Sequence, residues 1–175
     1  PDDLVGRDEF VVAMWRWLAN HEHLRVEAEK RVGKTEVLQL VRIAAPDGYA
    51  VIFRDVEGIT TPERLVECLT QDVIEHLGGL VRVKEKMRGW VTKLGGTEIG
   101  PVTLPEISSG DWATHLDTLF EHVADHDLQL VILWDEAPWM IQGIARSSGA
   151  EAAVQVLDRL RAVRQHHRNV RWVFT

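Results

Sequence analysis

Five consecutive apolar residues, Leu130-Val131-Ile132-Leu133-Trp134, run straight into two acids, Asp135-Glu136. A strand alternates its side chains between two faces, so a continuous apolar run must be covered on both. Tyr49-Ala50-Val51-Ile52-Phe53, ending at Asp55, and Val170-Arg171-Trp172-Val173-Phe174 read as further strands, and His23 to Glu27 as a shorter one. Helical stretches separate them. Phe10, Met14, Trp17 and Leu18 mark a first helix over Asp8–Asn20, and a second runs from Lys34 to about Ala45. Thr61-Pro62-Glu63 opens a third, with Leu65, Leu69, Val73 and Leu77 on one face. Leu80 to Lys93 reads as charged and helical, and Leu94 to Gly110 as a loop or short hairpin. Trp112, Leu116, Leu119, Phe120 and Val123 form a clean stripe, and Ala150 to His167 turns Ala153, Val156, Leu157, Leu160 and Val163 inward. Strands alternating with helices predict an α/β chain with a mainly parallel central sheet in three layers.

The chain has 175 residues, 45% hydrophobic and 27% charged, which is ordinary for one globular domain. Its net charge of −7 makes it a poor default for non-specific nucleic-acid binding. No apolar run is long enough to cross a bilayer. The single cysteine, Cys68, cannot form an internal disulfide, so the expectation is a cytoplasmic protein with no membrane partner. Ending on an apolar strand, the sequence reads as residues 1–175 of a larger protein, lacking a C-terminal strand and lid.

Ala28-Glu29-Lys30-Arg31-Val32-Gly33-Lys34-Thr35 lies between a strand and a helix. It fits the phosphate-loop pattern G-x-x-x-x-G-K-[ST] except at its first position. Gly33 allows the backbone amides to turn inward. Those amides form an anion nest at a helix N-terminus, whose dipole also favours phosphate. In this reading Lys34 meets the β and γ phosphates and Thr35 coordinates Mg²⁺. Asp135, at the carboxyl end of its strand, is the second candidate Mg²⁺ ligand. Glu136 is the candidate residue that orients and polarises an attacking water. The cofactors expected are ATP and Mg²⁺.

These motifs, in order, resemble a family. Leu4-Val5-Gly6-Arg7-Asp8-Glu9-Phe10 resembles the Gly-Arg box that precedes the phosphate loop in STAND and archaeal-type ATPases of the AAA+ class. Lys30-Arg31-Val32-Gly33-Lys34-Thr35 resembles their R-R-x-G-K-[ST] form. Asp135-Glu136-Ala137-Pro138-Trp139 resembles the D-E-x-P-W continuation of a bacterial branch, and Trp172-Val173-Phe174-Thr175 their sensor strand. The resemblance implies an ASCE-type P-loop NTPase core with strand order 5-1-4-3-2, the fifth strand lying beyond Thr175. It implies a domain that hydrolyses ATP to ADP and phosphate to drive or gate attached modules. It also implies protein partners or self-association through those modules. Carried over residue by residue, it adds Gly6 and Arg7, on the adenine side, to a nucleotide-contact set of Lys30, Arg31, Val32, Gly33, Lys34 and Thr35. The alternative is a nucleotide-gated interaction switch with little turnover, part of a DNA-associated or defence-type complex. Two departures favour it: Ala28 stands where the loop pattern has Gly, and Glu29 places an acid in the loop. The preceding strand, with Arg25 and Glu27 between Leu24 and Val26, is also unusually charged.

Other residues have plainer readings. Asp55 and Glu57 either assist Mg²⁺ or cap the helix that starts near Thr61. His122 and His126 have metal-compatible spacing but no third ligand, and Ser147-Ser148-Gly149 lacks a partner base. Seven tryptophans read mainly as core, with Trp139 placed to cover the acids. Arg159, Arg161, Arg164, Arg168 and Arg171 read as a basic surface stretch, a subunit contact or the source of an arginine finger, to which no one residue is assigned.

Overall fold

A computed structural model describes residues 7–29, 32–77, 107, 110–124 and 129–175. Among them the order is α1 (Arg7–Ala19), β1 (Leu24–Arg25), α2 (Lys34–Ile43), β2 (Tyr49–Asp55), α3 (Pro62–Leu77), α4 (Trp112–Ala124), β3 (Gln129–Asp135), α5 (Ala137–Ser147), α6 (Ala150–His166) and β4 (Val170–Phe174). The four strands form one sheet in the order β1-β4-β3-β2, and every pairing is parallel. The helix expected over Leu80–Lys93 and most of the Leu94–Gly110 stretch lie outside the described residues, as do Trp90 and His126.

Alternation along the strands divides the core in two. Val51, Val131, Leu133 and Val173 face one side, where they join Val11, Met14, Trp15 and Leu18 of α1 and Val37, Leu38 and Val41 of α2. Ile52, Leu130, Ile132, Trp134, Val170 and Trp172 face the other, where α3, α4, α5 and α6 cover them. Helices therefore lie on both faces of the sheet. Trp134 and Trp172 meet edge-on, with ring centroids 4.6 Å apart. Such a pair adds about 0.5–1.5 kcal/mol beyond the burial of its area.

Three details differ from the sequence reading. The buried stripe of α1 is Val11, Met14, Trp15 and Leu18, whereas Phe10 and Trp17 are exposed. Both sets have near-helical spacing, and Trp15 decides the phase: its Nε1 donates to the carbonyl of Val41, 3.1 Å away, and its ring meets Tyr49 edge-on. Leu157 is exposed on α6 although its neighbours Val156 and Leu160 are buried. α5 was not anticipated; Ala137, Met140 and Ile144 give it a buried stripe directly after the acids.

β1 spans only two residues and pairs with β4 alone among the described strands. That position explains its charge. Arg25 and Glu27 are exposed and form an ion pair with each other, so neither is buried in a central strand. The basic stretch also divides: Arg159 pairs with Asp117 of α4 at 2.9 Å, while Arg171 is buried in β4. Arg171 donates to the Gln129 side chain and lies 2.5 Å from Nδ1 of His21, with its guanidinium over the Tyr49 ring. Burial lowers its pKa from the usual arginine value.

Candidate functional site

Register brings the strand ends together. Asp55 of β2 is level with Asp135 of β3, and Phe174 of β4 is level with Trp134, so Asp55, Asp135 and Thr175 end along one edge. The segment after β1 reaches the same edge, because Arg25 is level with Phe174 and the amide of Val26 donates to the Phe174 carbonyl at 2.8 Å. Carboxyl ends of parallel strands are where ligands bind in open α/β sheets.

α2 begins at this edge. Gly33 caps it with φ 84° and ψ 36°, a left-handed conformation that favours glycine. Gly33 has no side chain to cap the helix, so among the described residues the first-turn amides have neither an intrahelical nor a side-chain acceptor. Val32 is exposed. Lys34 folds back over the loop: its Nζ donates to the carbonyls of Ala28 at 3.2 Å and Glu29 at 3.3 Å. The side chain of Glu29 is exposed. Arg7, at the start of α1, donates from Nη2 to the carbonyl of Val32 at 3.0 Å.

The hydroxyl of Thr35 donates to Oδ2 of Asp135, joining positions one hundred residues apart. Asp135 is 4% exposed and the last residue of a strand buried along nearly its whole length. Its other oxygen, Oδ1, accepts from the hydroxyl of Thr175. Thr175, in the sequence only the last residue of the run that resembles a sensor strand, makes four contacts here. Its hydroxyl also accepts from the amide of Glu136 at 3.1 Å. Its amide donates to the Trp134 carbonyl at 3.0 Å, and its carbonyl accepts from the amide of Ala137 at 3.1 Å. A hydroxyl following a strand level with the acid strand was the available signal.

Glu136 has φ 60° and ψ 34°, left-handed for a residue that is not glycine. Such backbone costs of order 1–3 kcal/mol and persists only where its surroundings enforce it. The Thr175 contact and the start of α5 enforce it here: the Glu136 carbonyl accepts from the amides of Trp139 at 3.1 Å and Met140 at 3.4 Å.

Thr35 and Thr175 thus meet on the two oxygens of Asp135, the backbone of Glu136 is tied to Thr175, and Lys34 and Gly33 lie on the adjoining turn. Gly6, Lys30 and Arg31 lie outside the described residues. Asp55 accepts from the amide of Glu57 at 2.9 Å, closing its own turn, and Thr61 caps α3 by accepting from the amide of Arg64 at 3.2 Å. Trp139 is exposed on α5. The Nδ1 of His122 lies 2.9 Å from the Thr118 carbonyl of its own helix. No described helix is long and apolar enough to cross a membrane. In comparison with known proteins, the chain matches no family model, and no curated protein matches it at a significant level.

Proposed function

We propose that this chain is an ATP-binding domain of P-loop NTPase type that hydrolyses ATP to ADP and phosphate with Mg²⁺. The observation that carries the reading is the contact of Thr35 with Asp135 at the carboxyl edge of a parallel sheet, beside an uncapped helix N-terminus and Lys34. Two motifs that the sequence reading paired for chemical reasons meet in space. All four strands also follow the order 1-4-3-2 that the ASCE-type reading implies for them.

The residues present fit the metal. Among the described residues, no group of three or more His, Cys, Asp or Glu side chains forms a dedicated cage. Mg²⁺ in phosphoryl-transfer sites needs only one or two carboxylates, completed by waters and substrate phosphates. Thr35 keeps an oxygen lone pair free while its proton goes to Asp135, and these two would hold the ion. Bound there, Mg²⁺ would neutralise charge on the β and γ phosphates.

The chain's own groups do the rest. Amides of the loop and the first turn of α2 receive the phosphate oxygens. Lys34 exchanges its two carbonyl partners for phosphate and offsets the charge that builds as the bond from the γ phosphorus to the bridging oxygen breaks. Glu136 accepts a hydrogen bond from the water that attacks the γ phosphorus and takes up its proton. The left-handed backbone of Glu136 fixes where that carboxylate leaves the chain. The exposed Glu29 side chain can stay in water, which removes the chief objection to phosphate in this loop.

We place the modules that such a domain drives, whether by association with other proteins or with itself, outside this sheet. The test is phosphate release from ATP, followed colorimetrically with Mg²⁺ and with EDTA. Release that needs Mg²⁺ supports the reading. ATP bound with no release above buffer would make the chain a nucleotide-gated switch, and no ATP bound would end the reading.

A further inference from the structure

The Gly-Arg box implies Arg7 on the adenine side of a nucleotide, and the structure adds a contact between Arg7 and the phosphate loop. The Arg7 guanidinium lies on the backbone of that loop, donating to the Val32 carbonyl at 3.0 Å. A Cβ built on Gly33 would lie 2.5 Å from Nη2 and 2.6 Å from Nη1 of Arg7. The guanidinium therefore fills the space that any other residue at position 33 would need. Among the described residues Arg7 makes no ion pair, so no carboxylate competes for this seat.

The peptide between Val32 and Gly33 is one planar unit, with its carbonyl and its N–H pointing in opposite directions. Holding the Val32 carbonyl on Arg7 thus fixes where the Gly33 N–H points. It also stabilises the left-handed Gly33, with φ 84°, that opens α2. A hydrogen bond from a charged donor is among the stronger single contacts.

We infer that Arg7 is a positioning residue of the phosphate site, which presets the Val32–Gly33 peptide for an anion and serves the polyphosphate rather than the base. This rests on the phosphate-site reading above. The test titrates ATP and inorganic tripolyphosphate, each with Mg²⁺, into the full chain and its R7A and R7K variants by calorimetry. Loss of one charged donor predicts that R7A weakens both ligands by the same factor, about 5- to 20-fold. R7K, which can still donate to the Val32 carbonyl, should recover most of that loss; a general weakening of the fold would not be rescued in this way. Weaker ATP with unchanged tripolyphosphate would place Arg7 on the base and overturn the inference, as would no change with either ligand. If R7A does not fold, R7M, which keeps the stem and removes the donors, is read by the same criteria. If the wild-type chain binds neither ligand, the phosphate-site reading itself fails first.

Discussion

Glu136 bears the costliest backbone of the site, and its replacement is the sharpest single-residue test of the chemistry. Glu136→Gln keeps the size and the amide contact to Thr175 while removing the proton acceptor. Turnover should fall about 100-fold or more, with ATP affinity within about 3-fold of wild type. Single-turnover phosphate release beside equilibrium binding separates the two effects, and undiminished turnover would move the water-activating role to another acid. Glu29 calls for the opposite expectation. Its side chain is exposed, so its charge is largely screened from the loop interior. Glu29→Gln should change ATP affinity by less than about 3-fold, since charges about 6 Å apart in water interact by under 1 kcal/mol. A tenfold gain by fluorescence titration would mean that the carboxylate turns into the site. At this scale the sequence offered Gly33, Lys34, Thr35, Asp135 and Glu136 as candidates by residue type and spacing, and the structure brings Thr35 and Asp135 into contact. Thr175 stood in the sensor-strand resemblance with no role of its own. Its role comes from the register of β4 against β3, and no local pattern encodes that register.

Between elements, the short strand β1 depends on a histidine staple. Nδ1 of His23 accepts the amide of Trp172 at 3.1 Å, tying the entry of β1 to the middle of β4. Burial, then the nearby Arg164 and Arg171 guanidiniums, push the His23 pKa down to about 4, against a partly compensating hydrogen bond to the Arg164 backbone. The folded state thus prefers the neutral ring, and the unfolded chain, titrating near 6.5, takes up protons first. The stability this provides is whole above about pH 6.5 and drains away as pH falls towards 4. After discounting for partial exposure, the loss at pH 5 relative to pH 7 is about 1–2 kcal/mol. Thermal melts at pH 7 and pH 5 should show that loss in wild type and a shallower one in His23→Gln; equal pH slopes would remove His23 from the account. Element types were legible wherever apolar spacing was long and regular, as in α4 and β3. The phase of α1 was not, because a helix with apolar residues on two adjoining faces, Phe10 and Trp17 beside Val11 and Trp15, leaves tertiary packing to choose. α5 went unassigned because Ala137-Pro138-Trp139 reads only as the continuation of the acid motif, although proline is at home in a first helical turn.

Across the whole molecule, the proposed function rests on where a parallel sheet gathers its strand ends. The chain carries a net charge of −7, yet the turn from β1 into α2 brings Lys34 and the N-terminus of α2 to the edge that also holds Asp135, and Arg7 reaches that turn from the start of α1. On the proposed reading, overall repulsion would make an anionic ligand depend on those local positive groups and on a divalent cation. The α/β class followed from apolar runs buried on both faces. The strand order followed from the resemblance, since periodicity does not say which strands are neighbours. The central claim is that this edge binds ATP through the phosphate loop. Isothermal titration of Mg²⁺–ATP into the wild-type chain and into Lys34→Ala tests it most directly. The account predicts saturable one-to-one binding that weakens about 10-fold or more in the variant, as expected for losing a charged partner of the phosphates. Equal affinity in the two proteins, or no binding to the wild type, would contradict it.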